Sequence, residues 1–345
     1  MTGSRLRATG VGSWPGEDVR AAHRVVRDVL AADHLPYLPE LPARGPGADL
    51  VGRTGSQLAG LSLDLQPSGW RLTDASGRDA RRGRSLLRGD LDELAEAYDG
   101  YAGPLKVQLA GPLTLAAAIR LPRGERAVSD HGAVRDLAQS LVETVLGHVA
   151  DCARLVPGAQ IVLQLDEPGL TAVLTGSLPT DSGFGRLRAL EPGAVADLLT
   201  EVVAPVVERG TPVVLHSCAA DLPLDLLGRI RDLAVSLDTG SVSPAQWEQI
   251  AERLDAGEAP DELHTPFWWG LIPTDTAARH PREHVTTVLE SARRVGLNPS
   301  VFVPGVVSPA CGLSGRSADD AVRVTRLTVD AAQMLEEAAG GVSQD

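Results

Sequence analysis

The sequence predicts an α/β fold, a single (β/α)8 TIM barrel with long loops after its second and fourth strands. Three observations carry this expectation. Eight short apolar runs recur along the chain, amphipathic helical stretches separate most of them, and reactive polar residues fall just past the ends of the runs. Alternating strands and helices build a parallel sheet, and eight such units in 345 residues suit a closed barrel with insertions. No internal repeat or linker marks a boundary, so residues 1–345 are expected to form one domain.

The expected strands are residues 7–11, 35–38, 105–109, 160–165, 212–215, 233–237, 267–272 and 301–307. The second is the least strand-like, because Pro36 and Pro39 crowd it and proline cannot donate to a ladder. Helices are expected over 17–32, 133–155, 192–209, 244–256, 281–295 and 318–339. The last opens with Ser317-Ala318-Asp319-Asp320, which reads as a capping box. Two connections are long for such units. Residues 41–103 are rich in Gly, Pro and Arg, with one short helix expected at 91–98, and residues 169–191 carry Gly, Ser, Thr and Pro. Arg78, Arg81, Arg82, Arg84 and Arg88 read as a solvated basic loop, the alternative being a holder for an anionic tail.

Composition narrows the function. A hydrophobic content of 43% supports a buried core, and a net charge of −13 argues against nucleic-acid or anionic-membrane partners. Lys106 is the only lysine, and beside the Ala and Gly richness this reads as compositional bias. Three cysteines do not make a disulfide framework, which fits a reducing compartment. Residues 1–10 lack a long apolar stretch, and no run approaches the roughly 18 residues of a membrane span. A soluble, cytoplasmic protein is expected.

In a barrel the active site lies at the C-terminal ends of the strands. Past the first expected strand stands Gly12-Ser13-Trp14-Pro15, past the second Glu40, and past the third Gly111-Pro112. Asp166-Glu167-Pro168 follows the fourth, His216 and Cys218 the fifth, Asp238-Thr239 the sixth and Cys311 the eighth. Residues two apart on an extended strand share a face, so His216 and Cys218 can grip one ion. Thiolate and imidazole favour Zn²⁺ over Mg²⁺ or Ca²⁺. Each residue alone has a plainer explanation. Cys218 is a small hydrophobe, Asp238 a helix cap, Asp166-Glu167 a helix start, and the glycine turns are ordinary turns. Together on one rim they point to a functional site.

On these residues the chain resembles the C-terminal catalytic barrel of the cobalamin-independent methionine synthase family, in a short single-barrel form, over nearly its whole length. Thr9-Gly10-Val11-Gly12-Ser13-Trp14-Pro15 looks like the family's opening Gly-Ser-aromatic-Pro turn. Ala110-Gly111-Pro112-Leu113-Thr114 and Gln164-Leu165-Asp166-Glu167-Pro168 are similar to its next two strand ends. His216-Ser217-Cys218 and Ser308-Pro309-Ala310-Cys311-Gly312-Leu313 match its metal-binding turns.

The resemblance implies zinc-dependent transfer of a methyl group to homocysteine, giving methionine. It implies His216, Cys218, Asp238 and Cys311 as zinc ligands, with Asp238 standing where the family usually has Glu. It implies Glu40 and Asp166 for the substrate ammonium, Gly12 and Ser13 for its carboxylate, and a supporting role for Glu167. Folate-using members carry a catalytic His after strand seven, but here Leu271-Ile272-Pro273-Thr274-Asp275 puts a proline about there. His264 and His280 are the nearest substitutes, and no catalytic residue is assigned. The sequence has no counterpart of the N-terminal half of the full-length folate enzyme. The implied donor is therefore methyl-tetrahydrofolate or a methyl-corrinoid carried on a partner protein. Open alternatives are a related barrel acting on another thiol, a metal-free uroporphyrinogen-type decarboxylase, and a barrel that binds zinc and ligand without turnover.

Overall fold

The computed structural model describes residues 5–255, 261–275 and 280–340. Strands among these residues are β1 (Leu6–Ala8), β2 (Ser62–Gln66), β3 (Gly69–Thr73), β4 (Gly103–Ala110), β5 (Ala159–Asp166), β6 (Val213–Ser217), β7 (Leu233–Asp238), β8 (Phe267–Ile272) and β9 (Gly305–Pro309). Seven of them form one parallel sheet in the order β1-β9-β8-β7-β6-β5-β4, while β2 and β3 make a separate antiparallel hairpin. The strands of the parallel sheet are buried on both faces, which explains their near-continuous apolar sequences. Trp269 on β8 stacks on Trp247 and meets the ring of Phe302 edge-on at 4.8 Å.

Residues 35–40 close the sheet into a barrel without forming a regular strand. The Leu35 and Glu40 amides donate to Ala8 and Gly12 beside β1, and the Leu38 amide donates to Lys106 on β4. Lys106 in turn donates to the Pro36 carbonyl, and Trp14 to that of Glu40. Pro36 and Pro39 lack amide hydrogens, so the ladder is broken into isolated bridges, at Ser13–Glu40 and Tyr37–Lys106. The expected second strand is thus present as a stave with paired edges.

The outer helices lie where their periodicity places them, at Val19–Leu30, His131–Leu155, Pro192–Val207, Pro244–Asp255, Pro281–Arg294 and Ala318–Gly340. The expected end of the fourth, residue 256, lies outside the described residues. In Pro192–Val207 the buried set Val195, Leu199, Val202, Val203 and Val206 makes one apolar stripe. Ser317 Oγ accepts the Asp320 amide at 3.2 Å, which is half of the expected capping box. Among the described residues no helix is long and apolar enough to cross a membrane.

Two expectations need correction. The last strand begins at Gly305 instead of 301, because Pro299–Phe302 winds as a 3-10 turn and Pro304 precedes the strand. Residues 41–103 are also more ordered than expected. They hold the helix Leu50–Gly55, the β2–β3 hairpin and a 20-residue helix, Arg78–Ala97. That helix buries Ala80, Gly83, Leu87, Asp90 and Leu94. Two of these five are Gly and Asp, which hides the apolar period. Gly83 packs so closely on Gly47 that a Cβ on Gly47 would stand 2.7 Å from the Gly83 Cα, and Asp90 pairs with Arg44 at 2.7 Å. Arg78, Arg81, Arg82 and Arg88 lie on the exposed face of this helix, not in a loop.

Gly270 on β8 faces Asp238 on β7 and Ser308 on β9. A Cβ there would lie 2.6 Å from the Leu237 carbonyl oxygen and 3.1 Å from the Ala310 Cα, backbone atoms that cannot swing aside. Gly270→Ala is expected to cost about 1–3 kcal/mol of stability, read as a lower urea midpoint at unchanged m-value.

Candidate metal centre and substrate cavity

His216 lies on β6, Cys218 just beyond it and Cys311 just beyond β9. Parallel pairing sets His216 beside Asp166 on β5 and Ser236 on β7. One ligand atom from each of His216, Cys218 and Cys311 lies within 4.8 Å of the other two. The Cys218 and Cys311 sulfurs are 2.9 Å apart, well beyond the roughly 2.05 Å of a disulfide. His216 Nδ1 is engaged by Ser236 Oγ at 3.0 Å, whereas Nε2 is buried with no hydrogen-bond partner. An imidazole oriented through one nitrogen with the other left bare is the usual state of a metal ligand.

The hydrogen bond from Cys218, with His216 close by, holds the Cys311 thiol well below its ordinary pKa. Cys218, which gives that bond and is partly buried, is pushed up. The pair therefore shares a proton in a place where a cation can replace it. One nitrogen and two sulfurs suit a borderline-soft ion, and three protein ligands leave room for an exchangeable fourth.

Asp238 is held elsewhere. Its carboxylate accepts from the Gly240 amide at 2.9 Å and from Ser241 Oγ at 2.7 Å, capping the 3-10 turn Thr239–Ser241. It stands outside the three-ligand cluster and lines a small neighbouring recess with Ala219 and Ser241.

Next to the cluster opens a cavity of about 280 Å³. Ser13, Glu40, Asp166, His216, Cys218 and Cys311 all line it. Gly12 does not line it but makes its rim possible, since its backbone φ of +155° favours glycine and a Cβ would meet the Gln108 side chain at 3.0 Å. The Ser13 turn is tied to the Cys311 turn, with the Leu313 amide donating to the Ser13 carbonyl at 2.9 Å. A Cβ on Gly312 would stand 2.0 Å from Ser13 Oγ, so any larger residue beside Cys311 would turn the Ser13 hydroxyl away. A larger recess of about 550 Å³ lies outside the barrel between Arg78–Ala97 and His131–Leu155, away from the strand ends. The smaller cavity is the candidate site because the reactive groups converge there.

The carboxylates divide their roles. Glu40 forms a buried ion pair with Arg53 at 3.0 Å. Asp166 accepts from Gln164 Nε2 at 2.7 Å, and burial pushes its pKa up to about 7. Glu167 serves the scaffold. It accepts from the Leu113 and Thr114 amides at 2.8 Å and from Thr114 Oγ1 at 2.7 Å, clamping the start of the helix Pro112–Ala118. Gly111 is required there, since a Cβ would lie 2.3 Å from the Glu167 carboxylate.

Sequence reasoning missed Arg53, Lys106, Gln108, Gln164 and Ser236 as parts of the site. For Lys106, Gln108, Gln164 and Ser236 the available signal was polar residues inside otherwise apolar strands, with Lys106 the only lysine, whereas Arg53, on the helix Leu50–Gly55, carried no such signal. His264 pairs with Asp261 ahead of β8 and His280 caps the helix Pro281–Arg294, so neither substitutes for the missing strand-seven histidine. Among the described residues His216 is the only histidine lining the cavity.

A parallel barrel that gathers an imidazole, two thiols and two buried carboxylates at its strand ends has the arrangement of an enzyme site with a candidate metal centre. Residues 101–334 match the family described as cobalamin-independent synthase, catalytic domain, and the chain belongs to that family. It is accordingly a methyltransferase of methionine synthesis. No curated protein matches it by sequence. Among solved structures it is similar to a B12-independent methionine synthase from Shewanella sp. W3-18-1 in complex with selenomethionine. The TM-score is 0.57 at 11% identity, covering 96% of this chain and 98% of that one. It is also similar to a methyltransferase from Methanosarcina mazei, with a TM-score of 0.58 at 13% identity, covering 97% and 95%. At such identities the likeness concerns the fold.

Burial pushes the Glu167 pKa up from 4.5 to about 7, against its three hydrogen bonds. Between those values the folded chain holds a proton that the unfolded chain has released. This contribution therefore makes stability fall as pH rises through that window and level off above it. Glu167→Gln is expected to flatten that part of the slope, read from urea midpoints measured across the window.

Proposed function

We propose that this chain is a zinc-dependent homocysteine S-methyltransferase that works as one barrel domain over residues 1–345 in the cytoplasm. The observation that carries the reading is the bare, buried Nε2 of His216 within ligand reach of two free cysteines, at the edge of a cavity holding two buried carboxylates. His216, Cys218 and Cys311 would hold the zinc. Asp238, outside the cluster and held by Gly240 and Ser241, would join as a fourth ligand only by moving toward it, which suits a ligand exchanged for substrate. When bound, zinc supplies the homocysteine thiol, with a free pKa of about 8.5, as a thiolate at neutral pH.

The chain's own residues orient the amino acid. Glu40 and Asp166 offer carboxylate oxygens to its ammonium, and the Gly12–Ser13 turn offers a backbone amide and a hydroxyl to its carboxylate. Val11, Pro42, Leu50 and Pro168 shield the methylene stem from water. The cavity sits near the small end of the range for ligand pockets, about 300–1,000 Å³, which suits an amino acid. The Shewanella neighbour's selenomethionine, a close analogue of the expected product, supports homocysteine as the acceptor.

Transfer forms the S–CH₃ bond as the methyl group's bond to its donor breaks. A departing folate nitrogen needs a proton, whereas a corrinoid cobalt leaves with the electron pair and needs none. Pro273 after β8, with His216 already assigned to the metal, favours a methyl-corrinoid on a partner protein over methyl-tetrahydrofolate.

Purified protein is expected to carry about one equivalent of zinc, and Cys218→Ser or Cys311→Ser to lose most of it in metal analysis. Loss on substitution would count against a metal-free decarboxylase. Zinc-loaded protein with homocysteine and methylcobalamin should yield methionine by mass, compared in parallel with mono- and polyglutamylated methyl-folate. No methionine from any donor would overturn the synthase reading and leave a barrel that binds without turnover.

A further inference from the structure

We propose that Lys106 is a positioning residue for the amino-acid site. It fixes the side-chain amide of Gln164 and thereby the carboxylate of Asp166 that meets the substrate ammonium. The proposal rests on the role given to Asp166 above.

Lys106 is fully buried on β4, inside the barrel. The β4–β5 register sets Gln108 beside Gln164 and Ala110 beside Asp166. Lys106 Nζ donates to the Val11 carbonyl at 2.8 Å, to Gln164 Oε1 at 2.8 Å and to Gln108 Oε1 at 3.4 Å, and lies 5.3 Å from the Tyr37 ring centroid. An ammonium has three donors and no acceptor, so only oxygens can face it. Each glutamine must therefore turn its oxygen inward and its NH₂ outward.

For Gln164 the outward NH₂ donates to Asp166 Oδ1 and to the Val11 carbonyl, both at 2.7 Å. For Gln108 it donates to the Leu38 carbonyl. Without the lysine, the Gln164 amide keeps its two NH₂ bonds but loses the donor that anchors its oxygen, so its hold on the Asp166 carboxylate loosens. One ammonium thus orients Asp166 and ties it to the residues flanking the Gly12 turn and Glu40.

The residue type follows from the space. A guanidinium is a wide planar fork, while the ammonium is a compact donor on a slim stem that fits among Val11, Gln108 and Gln164. A chain that otherwise uses only arginine for its long basic side chains keeps its one lysine here. Lys106 also stands with Arg53 among the buried acids Glu40 and Asp166, so the barrel interior holds two basic and two acidic groups, and burial lowers the pKa of Lys106 as it raises that of Asp166.

The test compares L-homocysteine with its deaminated analogue, γ-mercaptobutyrate, by calorimetric titration into zinc-loaded wild type, Lys106→Met, Gln164→Met and the double variant. Both probes carry the thiol and the carboxylate, but only homocysteine has an ammonium for Asp166. Each single variant is expected to bind homocysteine about tenfold more weakly, the double variant no worse than the singles, and γ-mercaptobutyrate to change by less than about twofold. Equal weakening of both ligands, or unchanged homocysteine affinity, would overturn the proposal. If Lys106→Met does not fold, Gln164→Met decides by the same comparison. Wild-type protein that binds no homocysteine would overturn the proposed function and this role with it, whereas normal wild-type binding with unaffected variants overturns this role alone.

Discussion

The site depends above all on the register of three adjacent parallel strands. Pairing of β5, β6 and β7 sets Asp166, His216 and Ser236 in one row. That row delivers a carboxylate, an imidazole and the hydroxyl that turns the imidazole. A slip of one residue would send each side chain to the other face. The burial of these strands on both sides makes such a slip costly, because every apolar neighbour would also be displaced. The candidate metal cluster then needs Cys218, just beyond β6, and Cys311, just beyond β9, and the Ser13–Leu313 hydrogen bond draws the Cys311 turn to the first strand end.

A second constraint is electrostatic. Glu40 and Asp166 are both buried, and isolated charges in that position would be strongly penalised. Arg53 pairs directly with Glu40, and Lys106 faces Asp166 through Gln164. The interior of this barrel is therefore a connected polar network under the cavity, wrapped in an apolar wall. The same network supports the irregular closing stave, since Gln108 bonds to Leu38 within it and Lys106 to Val11 beside it. Fold closure and site geometry share atoms.

Some features were legible in the sequence because they depend on local spacing. The outer helices, most strand positions and the three metal-cluster residues follow from periodicity and from reactive residues at strand ends. The helix Arg78–Ala97 was less legible, because Gly83 and Asp90 occupy buried positions that a hydrophobic pattern would fill with larger apolar residues. Asp238 shows a different difficulty. A carboxylate after a strand reads equally as a ligand or a cap, and its hydrogen bonds to Gly240 and Ser241 are visible only when the turn is folded.

By itself the sequence determined the alternating architecture, the rim on which the reactive side chains gather and the donor types they would offer a metal, since these depend on residue order and side-chain type. Only the tertiary structure decided that residues 35–40 close the barrel, that Glu167 clamps the helix Pro112–Ala118 while Asp166 faces the cavity, and that Lys106 bonds to Gln164 beside Asp166. Each of these turns on which distant backbone or side-chain atom stands within hydrogen-bond reach. That is a property of the closed barrel, because residues far apart along the chain become neighbours only when the last stave is in place.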